Sequence, residues 1–214
     1  MLLIETICLI VCLTYRRKEK IGKIFLLYIT FDFFIALLDF FIVPFSNWKQ
    51  TNTDRFYYFT NELVSALELF VYYFYFLQIL QNSKIQQVLK LLRSFFLVIA
   101  IFFITTFFVP PLPITIFPSN YFTVIEFIFL LFPCLVYYYE LFETDPIHRL
   151  FDRPSFWIIT GIMFFSLVSI PFYCTAEIYK NKGISYMYVL FYLPFAINFA
   201  FLTKGFLCKN KLTI

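Results

Sequence analysis

Seven apolar stretches run along the chain, separated by shorter polar or proline-containing segments. Each is close to the ~20 residues that a helix needs to cross ~30 Å of hydrocarbon, and the first is the shortest. The predicted helices cover residues 1–15, 24–45, 56–80, 94–109, 121–142, 156–179 and 186–206. This pattern predicts an all-α fold: a polytopic integral membrane protein in which residues 1–214 form one bundle of seven transmembrane helices, with no soluble domain.

The connection QNSKIQQVLKLLR, residues 81–93, fits two interpretations. Its apolar residues Ile85, Val88, Leu89 and Leu92 have the spacing of an amphipathic helix that lies on a membrane surface. The same residues fit a simple extension of the third or fourth helix equally well. The sequence leaves both interpretations open.

Composition supports the membrane assignment independently of the pattern. The chain is 62% hydrophobic and 14% charged, with a mean hydropathy of +0.82, whereas soluble domains are about 25% charged and 45–50% apolar. A soluble chain of this length cannot hide so much apolar surface. The lipid bilayer is therefore the first predicted partner.

Basic residues predict the orientation of the bundle. If the N-terminus lies outside, all but four of the 17 basic residues fall on the inner side, the exceptions being Lys49, Arg55, Lys180 and Lys182. The positive-inside rule then predicts an outer N-terminus and an inner C-terminus. The net charge of +4 reflects this inner basic rim, which faces anionic lipid headgroups, so no nucleic-acid partner is implied.

Carboxylates inside the predicted helices are the candidate functional residues, because an ionised side chain at the centre of a bilayer costs about 2.5–3.5 kcal/mol on insertion scales. Asp32 and Asp39 share one helix face, and Asn61, Ser65 and Glu68 form a polar stripe on the next helix. We expect helices two, three, five and seven to surround an acidic polar cavity that opens to the outside. Its predicted lining residues are Asp32, Asp39, Asn61, Glu62, Ser65, Glu68, Glu126 and Asn198.

No lysine or arginine inside the predicted helices is placed to neutralise these carboxylates. They must be protonated, hydrogen-bonded by neighbouring side chains, or paired with a cation or cationic ligand. The alternative is that several are protonated or lie in water at the outer interface, which suits Glu5 and Glu177 best.

Three prolines lie inside predicted helices, at Pro133, Pro171 and Pro194. Proline is tolerated in a span where a neighbouring group satisfies the carbonyl that it frees. These positions are candidate hinges between an outer site and the inner loops, although kinks in ordinary packing produce the same sequence pattern.

The sequence carries no catalytic or metal-binding constellation. A single histidine excludes the usual histidine ligand set of a membrane zinc hydrolase, and no glycine-rich phosphate loop is present. We therefore predict no enzyme activity, no metal and no cofactor.

Three phrases in the second half resemble a known group of proteins. They are YYYELF at Tyr137–Phe142, RLFDRPSFWIITG at Arg149–Gly161 and GFLCKN at Gly205–Asn210. Residues 120–210 resemble uncharacterised six- or seven-helix membrane proteins of AT-rich bacteria that serve as membrane modules beside two-component sensor kinases. The resemblance implies a sensory role in the bacterial cytoplasmic membrane, with a separate kinase-type partner contacted by the inner loops. It assigns no site residue.

Three function classes remain open at this point. The sequence favours a receptor-like sensory protein that signals through a separate membrane or cytoplasmic partner. The first alternative is a proton or cation channel or carrier, which needs a continuous polar path. The second is an oligomeric membrane effector or scaffold, which predicts a homo-oligomer and no ligand.

Overall fold

The structure is a computed structural model that describes residues 2–16, 18–41, 50–108, 119–144, 147–181 and 187–208. Its helices are α1 (Leu2–Tyr15), α2 (Lys20–Phe41), α3 (Gln50–Ile79), α4 (Ser83–Phe108), α5 (Ser119–Thr144), α6 (Pro154–Asn181) and α7 (Met187–Leu207), with a short 3₁₀ helix at Ile147–Asp152. The predicted all-α fold is confirmed for these residues. Predicted helix positions 1, 42–45, 109 and 186 lie outside them.

Helix α4 begins much earlier than its apolar stretch suggested. Asn82 caps it, because its Oδ1 accepts a hydrogen bond from the backbone N–H of Lys84 at 3.0 Å. The helix then continues without a break through Arg93. Residues 83–93 are therefore an extension of the fourth helix, as the second interpretation of this connection predicted.

Six helices contact one another in cyclic order. Helix α1 packs against α2 and α7, α3 packs against α2 and α5, and α6 packs between α5 and α7. Helix α4 lies outside this ring and packs against α3. The ring therefore has an interior to which α1, α2, α3, α5, α6 and α7 can each contribute side chains.

Two glycines bring α6 and α7 close together. A Cβ on Gly161 would lie 2.7 Å from the Cβ of Phe201, and a Cβ on Gly205 would lie 2.7 Å from Cγ1 of Ile158. Both distances are shorter than two carbon atoms tolerate, so only glycine fits either position. Small residues at such contacts are typical of helices that pack tightly in membranes.

One end of the bundle is marked by the turn between α1 and α2. There the side chain of Arg16 reaches the carbonyl of Phe206 near the end of α7, and Lys20 Nζ lies 5.8 Å from the ring centre of Phe74 on α3. We call this the basic end, since exposed lysines gather there, namely Lys18, Lys20, Lys23, Lys84 and Lys90.

Three helical segments in the described part of the chain are long and apolar enough to cross a membrane: Lys20–Leu38, Thr123–Glu143 and Pro154–Thr175. Three shorter apolar segments accompany them, Leu2–Tyr15, Leu63–Ile79 and Tyr192–Leu207. The outside of the bundle is apolar as well: Leu3 is 74% exposed and Leu91 is 72% exposed. A continuous apolar exterior is the surface that a bilayer covers.

Candidate functional site

Four helices bring polar side chains to one level inside the ring. Glu5 comes from α1, Asp32 from α2, Glu68 from α3 and Asn198 from α7. At 1.5 Å per residue, each lies about 13–18 Å from the basic end of its helix. We call these four residues the polar layer.

Glu68 is enclosed by the bundle, with 3% of its surface exposed. The hydroxyls of Tyr28 and Tyr72 lie within hydrogen-bonding reach of its carboxyl group. Tyr72 follows Glu68 by four residues and so lies on the same face of α3. Among the described residues, Oε1 of Glu68 has no hydrogen-bond partner. A buried oxygen without a donor costs about 1–3 kcal/mol, more when charged, so this atom is a natural binding point for a proton or a cationic donor.

Asn198 extends the same network to α7. Its Nδ2 donates a hydrogen bond to the hydroxyl of Tyr72 at 2.9 Å, while its Oδ1 has no partner among the described residues. Gly161 on α6 faces this amide, since a Cβ there would lie 3.1 Å from the Asn198 oxygen. The close approach of α6 and α7 therefore leaves no space for a larger side chain beside the amide.

Asp32 and Glu5 complete the acidic side of the polar layer. Asp32 is partly buried, and its electrostatic neighbours are the carboxyls of Glu5 and Glu68. Glu5 is only 1% exposed, so its side chain is enclosed by the bundle and does not lie in water. Three interacting carboxyls in a low-dielectric interior cannot all ionise unless a cation joins them.

The salt bridge between Arg16 and Glu19 lies elsewhere, at the basic end. The polar layer therefore contains acids, tyrosines and an amide, but no basic side chain forms an ion pair in it. Its counter-charge must come from bound protons or from a cationic ligand.

Three aromatic side chains pack inside the ring of helices, between the polar layer and the basic end. The Phe25 ring centre lies 5.3 Å from that of Tyr75 and 5.6 Å from that of Phe206, both in edge-to-face geometry. Phe25, Tyr75 and Phe206 are each fully buried. Rings packed in this way leave little space for water between α2, α3 and α7 on the side of the basic end.

At the basic end, Arg16 links the turn between α1 and α2 to the C-terminal end of α7. Its Nε donates to the carbonyl of Phe206 at 3.0 Å, and its guanidinium also donates to the carbonyl of Cys208. Phe206 lies in the last turn of α7 and Cys208 directly follows the helix, so neither carbonyl has a partner within the helix. A guanidinium there satisfies them and also interacts favourably with the negative end of the helix dipole.

Glu140 plays the corresponding part between α5 and the start of α4. Its carboxylate accepts hydrogen bonds from the backbone N–H groups of Gln81 and Asn82, at 3.1 and 3.2 Å. Tyr137 and Ser155 then join α5 to α6 through a hydroxyl pair at 2.9 Å. Polar contacts at the basic end thus involve three helices, α5, α6 and α7, and the two turns that precede α2 and α4.

The structure brings together only part of the predicted lining. Asp32, Glu68 and Asn198 share the polar layer, and Ser65 lies partly buried one turn from Glu68. Glu126 is fully buried but neighbours Tyr73 on another face of α3. The side chains of Asp39, Asn61, Glu62 and Glu177 lie outside the described residues.

The three prolines lie inside continuous helices, Pro133 in α5, Pro171 in α6 and Pro194 in α7. Pro133 cannot donate to the carbonyl of Phe129 four residues earlier. The hydroxyl of Tyr73 on α3 donates to that carbonyl at 3.3 Å. A neighbouring helix therefore supplies the hydrogen bond that Pro133 removes. The role of the three prolines as hinges remains a prediction.

Sequence reasoning missed the tyrosines and the arginine of this arrangement. Tyr28 precedes Asp32 by four residues and Tyr72 follows Glu68 by four, so each helix carries an acid and a tyrosine on one face. That spacing was a usable signal. No signal existed for the contact of Arg16 with α7, since the Phe206 carbonyl lies 190 residues further along the chain.

No family model, curated protein or solved structure matches the chain. The described residues also contain no group of three or more histidine, cysteine, aspartate or glutamate side chains arranged to hold a metal ion.

Proposed function

We propose that the chain is a seven-helix protein of the bacterial cytoplasmic membrane, with its N-terminus outside and its basic end inside, and that it acts as a receptor-like sensor. Its ligand is a proton or a small cation, such as an amine, bound at the polar layer. The signal passes to a separate protein at the basic end.

One observation carries this proposal: a buried carboxyl, Glu68, has an oxygen without a hydrogen-bond donor, next to two further acids. Such an arrangement is unfavourable unless positive charge is added. A ligand that supplies the charge stabilises the conformation that binds it by RT ln(1 + [L]/Kd), about 2.7 kcal/mol at 100 times Kd.

The aromatic cluster favours a sensor over a channel. A channel needs a polar path through the whole bundle, whereas Phe25, Tyr75 and Phe206 fill the ring on the side of the basic end. A ligand that reaches the polar layer from the outside therefore cannot pass the aromatic cluster toward the basic end. It can shift the bundle only if it binds one arrangement of the helices more tightly than another.

The membrane topology has its own test. Single cysteines are placed at Asn181 and Gln86 in a variant without its native cysteines, and intact cells are treated with a membrane-impermeant maleimide. We expect labelling at residue 181 and none at residue 86. Labelling of residue 86 from outside refutes the proposed orientation.

The ligand proposal is tested with the purified protein in lipid nanodiscs. The double variant Glu68→Gln, Asp32→Asn removes two acids of the polar layer, and Glu143→Gln is the matched control, since this exposed carboxylate lies at the basic end. The wild-type unfolding temperature should fall between pH 5 and pH 9 as further carboxyls ionise without a counter-charge, and methylammonium or spermidine should raise it.

In the double variant both responses should be largely lost, whereas the control should keep them. If the double variant responds like the wild type, the polar layer is not the ligand site. If the wild type in liposomes carries proton or cation flux that the double variant lacks, the channel or carrier alternative replaces the sensor. A protein that shows neither response nor flux is better explained as an oligomeric scaffold.

A further inference from the structure

A second cavity lies outside the ring of helices, in a groove between α2, α3 and α4. Its volume is about 460 Å³, within the 300–1,000 Å³ typical of ligand pockets. Leu27 on α2 is 62% exposed and Ile101 on α4 is 53% exposed, so the groove opens on the outer surface of the bundle. Apart from Arg93, all the described residues that line it are apolar.

Arg93 lies at the level of the polar layer. It follows Ser83, the first residue of α4, by ten residues, which places it about 15 Å from the basic end. Its guanidinium carbon lies 5.9 Å from the ring centre of Phe70, and Phe70 follows Glu68 by two residues, about 3 Å along α3. The guanidinium is therefore held near this level and does not extend to the basic end.

The described part of the chain does not neutralise the charge of Arg93. The side chain is half-buried and contacts the ring of Phe70, and no described carboxylate pairs with it. A ring face offsets only part of the cost of placing a cation in hydrocarbon. Basic residues at such depth pair with acids or with backbone carbonyls, so an anion at the level of Arg93 is strongly favoured in the groove.

The depth of Arg93 decides which kind of molecule can supply this anion. About 15 Å is half of the ~30 Å hydrocarbon core, so a lipid phosphate at the membrane surface does not reach the guanidinium. An acidic side chain on a transmembrane helix can lie at any depth, and intramembrane acids pair with basic residues of neighbouring helices. The position of the cation therefore favours a helix over a lipid.

The shape of the groove also suits a helix. Helices α2 and α4 each pack on α3, so they form the two sides of the groove and α3 forms its floor. Ala66 on α3 is a small residue among larger lining residues, and small residues let helix backbones approach closely in membranes. From Arg93 to Ile101 the wall extends for about 12 Å, which is about two turns of a docked helix.

We propose that the groove between α2, α3 and α4 binds one transmembrane helix of a partner protein, and that an aspartate or glutamate of this helix pairs with the Arg93 guanidinium. Apolar side chains of the docked helix pack against Leu63, Ala66 and Leu97. The proposal rests on the membrane insertion proposed above. It gives the partner of the proposed sensor a contact inside the membrane, on α3, the helix that carries Glu68.

Binding is measured with the full chain in phosphatidylcholine vesicles, by energy transfer between a dye on the chain and a dye on a designed leucine–alanine peptide of about 20 residues, long enough to span. Three peptides are compared: one with glutamate at its centre, one with glutamine at its centre, and one with glutamate one turn from its end. Arg93→Gln removes the cation, and Ala66→Phe fills the groove without a change in charge. Lys90→Gln is the matched control, because Lys90 is exposed on the same helix and does not line the groove.

We expect the wild type to bind the peptide with a central glutamate about tenfold more tightly than the peptide with a central glutamine, the size of a strong polar contact between helices in a membrane. The peptide with glutamate near its end should bind like the glutamine peptide. Arg93→Gln should remove the preference for glutamate, Ala66→Phe should weaken all three peptides, and Lys90→Gln should keep the wild-type preference.

Equal binding of the central glutamate and glutamine peptides by the wild type overturns the proposal. Tighter binding of the peptide with glutamate near its end overturns it as well, because the anion then comes from the membrane surface. The same holds for equal losses in Arg93→Gln and Lys90→Gln, or for Arg93-dependent self-association of the chain that excludes the peptide.

Thermal unfolding of the chain without peptide checks that Arg93 has no partner within the protein. Arg93→Gln should unfold within about 4 °C of the wild type, because it loses a single ring contact. A larger loss of stability shows that Arg93 is paired inside the chain and overturns the proposal.

Failure of this proposal is distinguishable from failure of the sensor proposal, because the double variant Glu68→Gln, Asp32→Asn leaves Arg93 and the groove unchanged. If peptide binding fails while the response to pH and methylammonium persists, only the docked helix is rejected. If peptide binding persists without that response, only the ligand site at the polar layer is rejected.

Discussion

Replacing Arg16 with methionine should destabilise the whole bundle, although Arg16 lies in a two-helix turn near the chain terminus. The change keeps most of the apolar stem and removes the guanidinium. Three hydrogen bonds are lost: to the carbonyls of Phe206 and Cys208, and to Glu19 at 2.6 Å. The side chain is 5% exposed, so water does not readily replace these partners.

The magnitude follows from the burial of each partner. A hydrogen bond from a charged group to a buried carbonyl contributes about 1.5–3 kcal/mol, and the Phe206 carbonyl is left without a donor. The Cys208 carbonyl lies nearer the surface and contributes less. Glu19 is 25% exposed, so its ion pair adds at most about 1 kcal/mol. We expect a total loss of about 3–5 kcal/mol, comparable to breaking a buried ion pair.

The loss is measured by reversible unfolding with sodium dodecyl sulfate in mixed micelles, followed by circular dichroism. Lys18→Met is the matched control, because Lys18 is exposed in the same turn and should change stability by less than about 0.5 kcal/mol. Arg16→Lys keeps the charge but not the planar fork and should lie between the two. A loss below about 1 kcal/mol for Arg16→Met refutes the idea that Arg16 holds α7 in place.

Two further predictions use the same assay. Gly161→Ala and Gly205→Ala should each cost about 1–3 kcal/mol, because their Cβ atoms would lie 2.7 Å from side-chain carbons of the facing helix; a neutral result at both positions would contradict the close contact of α6 and α7. Tyr73→Phe should cost about 0.6–1.7 kcal/mol in the wild type and close to nothing in Pro133→Ala, where residue 133 regains an N–H for the Phe129 carbonyl. Equal costs of Tyr73→Phe in both backgrounds would show that the tyrosine does not compensate for the proline.

Hydropathy located the helices well because a chain in an apolar environment must satisfy its backbone hydrogen bonds within each segment. It could not order them in space. The described helices are apolar around most of their circumference, so the pattern does not show that α4 lies outside the ring. Arg93 is an example. Its charge suggested that it lies in an inner connection, whereas it belongs to α4, the helix that Asn82 caps, and lines the cavity between α2, α3 and α4.

The polar layer was predictable in part, because few polar residues occur in apolar helices and most of them must face inward. Asp32, Glu68 and Asn198 followed that rule. The aromatic cluster did not stand out, because 24% of the chain is aromatic and residue type alone carries no direction. Phe25 is fully buried whereas Phe34, nine residues later on the same helix, is 56% exposed.

The polar layer and the basic end differ in how fully their polar groups are satisfied, and this difference indicates where the bundle can rearrange. At the basic end, Arg16 and Glu140 have several hydrogen-bond partners each, and satisfied networks hold helices in one arrangement. In the polar layer, Glu68 and Asn198 each retain an atom without a partner among the described residues. A cation that binds there supplies the missing contacts and therefore favours whichever arrangement provides them best. Asn198 and Phe206 lie on the same helix about 12 Å apart, so a rigid shift of α7 that reorients the amide also displaces the carbonyl held by Arg16. In the proposed sensor, such a shift of α7 would couple ligand binding at the polar layer to the surface at the basic end.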